Sequence, residues 1–136
     1  MDTVEEEGVY ALSAPSDHAR VVYGARRMLA KMGSGEVLEY LIAAAVSELS
    51  TNIVRYAQNG SITLRRIKRG AISGLEVIAE DDGPGIENIE KALEDHYSTG
   101  KGLGLGLPSV KRIMDEFEIR SASGRGTCII AKKWMG

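Results

Sequence analysis

Three groups of residues have the types and spacing needed to bind a nucleotide. In chain order they are Glu48 with Asn52, the run Asp81-Asp82-Gly83-Pro84-Gly85, and the alternating glycines of Gly102-Leu103-Gly104-Leu105-Gly106. An acid in a glycine-rich turn can hydrogen-bond a base, and glycines that open a helix can hold phosphates through free backbone N–H groups. The three groups together predict a site for ATP and Mg²⁺.

The first group lies in a stretch with helical periodicity. Glu48, Asn52, Arg55 and Tyr56 stand at i, i+4, i+7 and i+8, so a regular helix would carry them on one face, away from its apolar stripe. The amide oxygen of Asn52 is a suitable hard ligand for Mg²⁺. Glu48, one turn earlier, could accept a proton from a nucleophile near the terminal phosphate. Taken alone, the same residues also fit a solvated polar face with an Arg–Glu contact.

The second group follows a strand-like run, Leu75 to Ala79. Gly83 and Gly85 lack a Cβ, so the backbone can turn sharply and a flat ligand can approach closely. Asp81 could then accept a hydrogen bond from the exocyclic amine of adenine. The alternative is an ordinary acidic turn, because Asp, Gly and Pro are common turn residues.

The third group begins before the glycines and ends at a helix start where Pro108 is tolerated in the first turn. Its spacing departs from G-x-G-x-x-G, and Asp95 stands where a P-loop ending at Lys101 requires glycine. The alternative is a flexible hinge. Its predicted ATP-binding residues are Ser98, Thr99, Lys101, Gly102, Leu103, Gly104, Leu105 and Gly106, which join Asn52, Arg55, Asp81, Gly83 and Gly85 of the first two groups.

The elements that must position these groups follow from hydrophobic periodicity. Helices are predicted from Ser16 or Asp17 to about Met32, from Glu36 to about Tyr56, from Ile89 to Asp95 and from Leu105 to Glu116. Strands are predicted over 9–14, 61–67, 74–79, 117–122 and 127–134. Paired strands with helices between them predict an α/β two-layer sandwich: one mixed, mostly antiparallel sheet with helices over one face.

Composition limits the classes of function. The chain has 136 residues and a net charge of -2, which favours one domain over 1–136 and gives no reason to expect nucleic acid or an anionic membrane as partner. The acidic N-terminus is unlike a signal peptide, and no uninterrupted apolar run approaches a membrane span. Cys128 has no cysteine to pair with in the chain, so a cytoplasmic location is the expectation.

Jointly, the three groups resemble the motifs of the GHKL ATPase superfamily, which includes gyrase, MutL and histidine kinases. Glu48 to Tyr56 resembles its N box, Asp81 to Gly85 its G1 box, and Gly102 to Leu107 its G2 box. The resemblance covers residues 36–133. It implies the Bergerat ATP-binding fold, with Asp81 on the adenine amine, Asn52 on Mg²⁺, Glu48 as general base and an ATP lid over 96–104.

Within the superfamily, the chain is most similar to the RsbT-type switch kinases of the stressosome, which are related to anti-sigma factor kinases. The likeness lies in Gly102 to Phe117 and in the ending Gly126-Thr127 with Lys133-Trp134. It implies transfer of phosphate to Ser or Thr of a STAS-domain protein, followed by binding and activation of a PP2C-type phosphatase. Two alternatives stay open: an anti-sigma factor that sequesters a sigma factor, and a detached histidine-kinase ATPase domain.

Overall fold

A computed structural model of the chain describes residues 1–57, 59–94 and 106–135. Five strands and four α-helices are found there. The strands are β1 (Thr3–Leu12), β2 (Gly60–Arg69), β3 (Ile72–Asp81), β4 (Glu116–Ser121) and β5 (Thr127–Trp134). The helices are α1 (Pro15–Lys31), α2 (Glu36–Asn52), α3 (Ile89–Ala92) and α4 (Leu107–Ile113), and a π-helical turn, Ile53–Ala57, continues α2.

The strands form one sheet in the order β1-β2-β3-β5-β4. Every strand pair in the described chain is antiparallel, where the sequence predicted a mixed, mostly antiparallel sheet. The reason is connectivity: β2–β3 and β4–β5 are hairpins, and the antiparallel helix pair between β1 and β2 returns the chain to the side from which it left. The predicted α/β two-layer architecture is confirmed.

The core lies between the helices and one face of the sheet. Alternate residues of the central strands point toward the helices, as the period of two requires. On the sheet side the buried residues include Ile62, Leu64, Leu75, Val77 and Ala131. On the helix side they include Val21, Leu29, Ile42, Val46, Leu49, Leu107 and Val110.

The helical stretch Glu36–Ala57 is long and apolar enough to cross a membrane by length and composition alone. Core helices pass the same test, and this stretch contributes Ile42, Val46 and Leu49 to the core that α1 and the sheet share with it. Burial against α1 and the sheet accounts for these three residues, whereas Val37 and Tyr40 near the start of the stretch are exposed.

Several element boundaries differ from the sequence prediction. Helix α4 ends at Ile113 and not at Glu116, which begins β4. The starts of β1 and α1 differ for identifiable reasons. Strand β1 begins at Thr3 and not at Val9, because its acidic residues pair across the strands with arginines of β2: Arg65 Nε lies 2.6 Å from Glu7 Oε2. Helix α1 begins at Pro15, and Asp17 accepts the backbone N–H groups of Ser13 and Ala14 from inside the first turn. Neither the ion pairs of β1 nor the hydrogen bonds of Asp17 depend on a repeat of apolar residues, so hydrophobic periodicity did not reveal these two starts.

Candidate nucleotide-binding site

A partly enclosed cavity of about 180 Å³ lies where α2 and its π-helical turn meet the ends of β3 and β5. It brings together Asn52 and Asp81, which the sequence placed in separate motifs. Its volume is below that of typical small-molecule pockets, so it is suited to one part of a nucleotide, such as the base. Its lining is mostly apolar and comprises Leu49, Asn52, Ile53, Tyr56, Ala57, Ala79, Asp81, Pro84, Gly85, Ile86, Leu107, Thr127 and Ile129.

Asp81 ends β3 with its side chain on the helix-facing side of the sheet. Its Oδ1 accepts the backbone N–H of Gly83 at 2.9 Å, and the backbone N–H of Thr127 also donates to the carboxyl. Burial raises the pKa of Asp81 above its ordinary value, these two N–H groups oppose the rise, and the charge of Asp82 adds to it. The carboxyl is thus a half-buried acceptor, as recognition of an amine requires.

The turn after Asp81 is held by close backbone contacts. A Cβ on Gly83 would lie 2.6 Å from the Cβ of Ala57, so a side chain there would push against the π-helical turn. Gly85 has φ +78°, and a Cβ on it would overlap the carbonyl oxygen of Ala122 in the β4–β5 turn. The Gly124 N–H donates to Pro84 O at 2.6 Å. Both predicted glycines therefore place the turn against neighbouring backbone.

The π-helical turn separates Arg55 from Asn52 and Tyr56, although the sequence placed all three residues on one helix face. Asn52 and Tyr56 line the cavity, whereas Arg55 lines a second one of about 420 Å³ with Pro15, His18, Thr51 and Val54. A π-helical turn holds about one residue more than an α-helical turn, so a separation of four keeps residues aligned better than a separation of three. The structure does not bring Arg55 into the Asp81 cavity; its guanidinium lies 5.8 Å from the Tyr56 ring centroid.

Glu48 is exposed and lies on α2 one turn before Asn52, and it is not among the residues that line the cavity. Its carboxylate lies directly against Gly106, where a Cβ would overlap Oε2. Gly106 has φ +65° and precedes α4, whose first residue, Leu107, is buried in the cavity wall. The predicted base and the last glycine of the third group therefore meet in space.

The other predicted ATP-binding residues, which lie outside the described residues as does the predicted lid over 96–104, are Ser98, Thr99, Lys101, Gly102, Leu103, Gly104 and Leu105.

The donor set at the cavity fits a magnesium ion held mainly by a nucleotide. No three His, Cys, Asp or Glu side chains converge among the described residues. Mg²⁺ that bridges substrate phosphates needs only one or two protein oxygens and keeps waters as its other ligands. The Asn52 amide in the cavity wall offers such an oxygen.

Thr127, which lines the cavity, and its strand neighbour Ser121, which does not, both escaped prediction from the sequence. Thr127 pairs with Asp81 across β3 and β5, and Ser121 pairs with Thr127 across β4 and β5. Both pairings depend on strand register between segments distant in the chain, which local periodicity does not reveal. The Gly126-Thr127 pair after a turn was the available signal.

A larger, more open hollow of about 700 Å³ shares Asp81 and Thr127 as part of its wall. Its lining is charged, with Glu80, Asp82, Arg120 and Arg125, and it contains no residue of α2. The smaller cavity is the better site for the base because it combines enclosure, apolar walls and both predicted polar groups, Asn52 and Asp81.

The fold and this cavity define a histidine kinase-like ATPase domain: the family model of that description matches residues 12–133, and the chain belongs to this family. Within it, the serine/threonine-protein kinase RsbT of Bacillus subtilis (strain 168) is 47% identical over 110 residues, which cover 81% of this chain and 83% of RsbT. The predicted membership of the superfamily and likeness to RsbT are confirmed. The chain is an enzyme of the protein-kinase type.

Two further likenesses are informative. The anti-sigma F factor of Thermoanaerobacter sp. (strain X514) is 36% identical over 100 residues, which cover 70% of this chain and 69% of that protein. The histidine kinase domain of the Erythrobacter litoralis EL346 blue-light activated histidine kinase superposes with a TM-score of 0.54 at 19% identity, over 88% of this chain and 60% of that chain. At that identity the likeness shows the fold alone.

Proposed function

We propose that this protein transfers the terminal phosphoryl group of Mg-ATP to a serine or threonine hydroxyl of a STAS-domain protein. The observation that carries the proposal is that Asp81 and Asn52 line one cavity, with Glu48 one helical turn before Asn52 and against Gly106, in a chain 47% identical to a serine/threonine-protein kinase. Asp81 accepts a hydrogen bond from the amine of adenine, Asn52 holds the metal, and Glu48, exposed one helical turn before Asn52, receives the incoming protein hydroxyl.

The transfer needs one proton acceptor beside the terminal phosphate. Glu48 takes the proton of the acceptor hydroxyl while that oxygen bonds to the γ-phosphorus and the bond to the β-phosphate oxygen breaks, which leaves ADP. When bound, Mg²⁺ supplies neutralisation of the phosphate charge. The half-buried Asp81 keeps the base in the apolar cavity, so the phosphates extend toward Glu48 and the start of α4.

The test is a transfer assay with intact protein, Mg-ATP and a STAS-domain protein. Phosphoserine or phosphothreonine on the partner, stable to acid, is expected. Acid-labile phosphohistidine would support a detached histidine-kinase domain. ATP binding without transfer to any STAS-domain protein would contradict the proposal.

The same proposal includes an exchange of partners. A phosphate adds about -1.5 to -2 charges at the contact. The kinase has a net charge of -2, so the phosphorylated scaffold would be repelled and the kinase released to activate a PP2C-type phosphatase. Unphosphorylated scaffold should co-elute with the kinase and phosphorylated scaffold should not. Equal co-elution of both forms would contradict the exchange but not the transfer.

The exchange also requires kinase, scaffold and phosphatase to share one compartment, and we propose the cytoplasm. The lone Cys128 is consistent with a reducing compartment. Cell fractionation checks this: recovery with membranes would contradict it.

The likeness to anti-sigma F factors favours a second candidate, a protein that binds and sequesters a sigma factor. In that case ATP would stabilise the complex, and Glu48→Ala would leave sigma binding unchanged. Capture of a sigma subunit by purified protein, without transfer to a STAS-domain protein, would favour this candidate.

A further inference from the structure

We propose that Ser121 is a positioning residue that fixes the direction of the Thr127 hydroxyl proton, and that this makes the cavity select a 6-amino purine over a 6-oxo purine. The inference rests on the proposed binding of the ATP base beside Asp81. It concerns how the site tells adenine from hypoxanthine or guanine, through a residue that does not itself line the cavity.

The hydroxyl oxygen of Ser121 lies at the same distance from three polar atoms. Its Oγ lies 2.8 Å from the backbone N of Ile86, 2.8 Å from the carbonyl oxygen of Gly126 and 2.8 Å from Thr127 Oγ1. A hydroxyl carries one proton and two acceptor lone pairs. The N–H of Ile86 can only donate and the carbonyl of Gly126 can only accept.

One assignment of protons satisfies all three contacts. Ser121 accepts from Ile86, donates its proton to Gly126, and accepts from Thr127. The Thr127 proton therefore points away from the cavity toward Ser121. If Ser121 donated to Thr127 instead, the contact with Gly126 would have no proton.

With this assignment of protons, the Asp81 and Thr127 side chains present only hydrogen-bond acceptors to the cavity. Asp81 and Thr127 are opposite each other on β3 and β5, and both line the cavity. The ionised carboxyl of Asp81 offers only acceptor oxygens, and Thr127 Oγ1 offers only lone pairs once its proton is used. An exocyclic amine has N–H groups to donate to these acceptors. A carbonyl at the same position would face two acceptors without a hydrogen bond.

The test compares three nucleotides that differ at position 6 of the purine: ATP with an amine, inosine triphosphate with a carbonyl, and purine riboside triphosphate with hydrogen. Affinities are measured by calorimetry on the intact protein. In Ser121→Ala, Thr127 is free to turn its proton toward a carbonyl. We expect the ATP-to-inosine-triphosphate affinity ratio to fall about tenfold, the size of one neutral hydrogen bond, with little change for the unsubstituted purine.

A purely structural role for Ser121 would give a different result. Loosening of the turn that Ser121 holds through Ile86 would weaken all three nucleotides together, and an unchanged ratio would overturn the proposal. Ser123→Ala, in the same β4–β5 turn and exposed, is the matched control and should leave every affinity unchanged.

Two Thr127 variants keep the proposal testable even if Ser121→Ala does not fold. Thr127→Val should lower the ratio, and Thr127→Ser should preserve it. Adding Ser121→Ala to Thr127→Val should change the ratio no further, because Ser121 acts through that hydroxyl. A wild-type ratio in Thr127→Val would overturn the proposal. No nucleotide binding by the wild-type protein would contradict the ATP assignment, which is a separate failure.

Discussion

The carboxylate of Glu48 lies against the α-carbon of Gly106, in space that any other residue at position 106 would fill with its side chain. Gly106 also has φ +65°, a conformation that costs little only for glycine. The motif on α2 and the motif before α4 thus both require that position 106 has no Cβ. The placement of the proposed base is therefore coupled to the backbone that leads into α4.

Gly106→Ala should lower phosphoryl transfer about a hundredfold, because an error near 1 Å in the position of a catalytic group can have that effect. ATP affinity should fall much less, since the Asp81 cavity is not altered directly. Steady-state transfer rates and calorimetric affinities measured on the same preparation separate the two effects.

Gly124→Ala is the control for backbone strain. Gly124 has φ +78°, and an added Cβ would meet nothing within 4 Å. It carries the conformational penalty without the contact to Glu48. Equal loss of transfer in both variants would show that strain, and not displacement of Glu48, lowers the rate.

Glu48→Ala should retain Mg-ATP binding and lower transfer by about 10²–10⁴, the usual contribution of a general base. Asn52→Ala should lose both, because the metal is lost with its amide. Binding and transfer are measured in parallel. Wild-type transfer by Glu48→Ala would assign the helix face a structural or metal-binding role only.

Asp81→Asn should weaken ATP binding about ten- to a hundredfold, because it removes a hydrogen bond to a charged acceptor. The apo protein should unfold at the same or a higher temperature at neutral pH. Burial raises the pKa of Asp81, so its ionised form opposes folding there, and the amide oxygen of Asn can still accept from Gly83. Calorimetry should therefore show a lower ATP affinity while the unfolding temperature stays the same or rises. A fall in both quantities would indicate damage to the fold.

ATP affinity should also depend on acidity through Asp81. Its pKa is raised above the usual 3.8, so the carboxyl gains its proton, and ceases to be a pure acceptor, at a higher pH than an ordinary Asp does. Affinity is therefore expected to fall as the pH is lowered through this raised pKa. The phosphates of ATP titrate equally in the wild type and in Asp81→Asn, so the difference between the two pH profiles isolates Asp81. Superimposable profiles would remove Asp81 from the site.

Hydrophobic periodicity was enough to locate the layers of the fold. Ile42, Ala45 and Leu49 recur at helical spacing because one face of α2 must be buried, and the 127–134 strand was found with its observed bounds. The early start of β1 was missed because it depends on ion pairs with β2, whose partners lie some 60 residues away.

The site was predictable only in its parts. Asp81, Gly83 and Gly85 are adjacent in the chain, so their shared turn could be read locally. The contact of Glu48 with Gly106 and the row of Asp81, Thr127 and Ser121 arise from packing and strand register, which no local pattern specifies. The separation of Arg55 from Asn52 required knowledge of the π-helical turn.

Because of the π-helical turn, the site depends on the number of residues in the 53–57 segment as well as on their identities. A π-helical turn accommodates about one residue more than regular α-helix, so it behaves as a one-residue insertion between Asn52 and the start of β2. Removal of one residue from 53–57 would change the identity of no predicted site residue outside that segment. It would nevertheless rotate the remainder of the segment about the helix axis. Transplanting the site onto another scaffold would therefore mean carrying this extra residue with it.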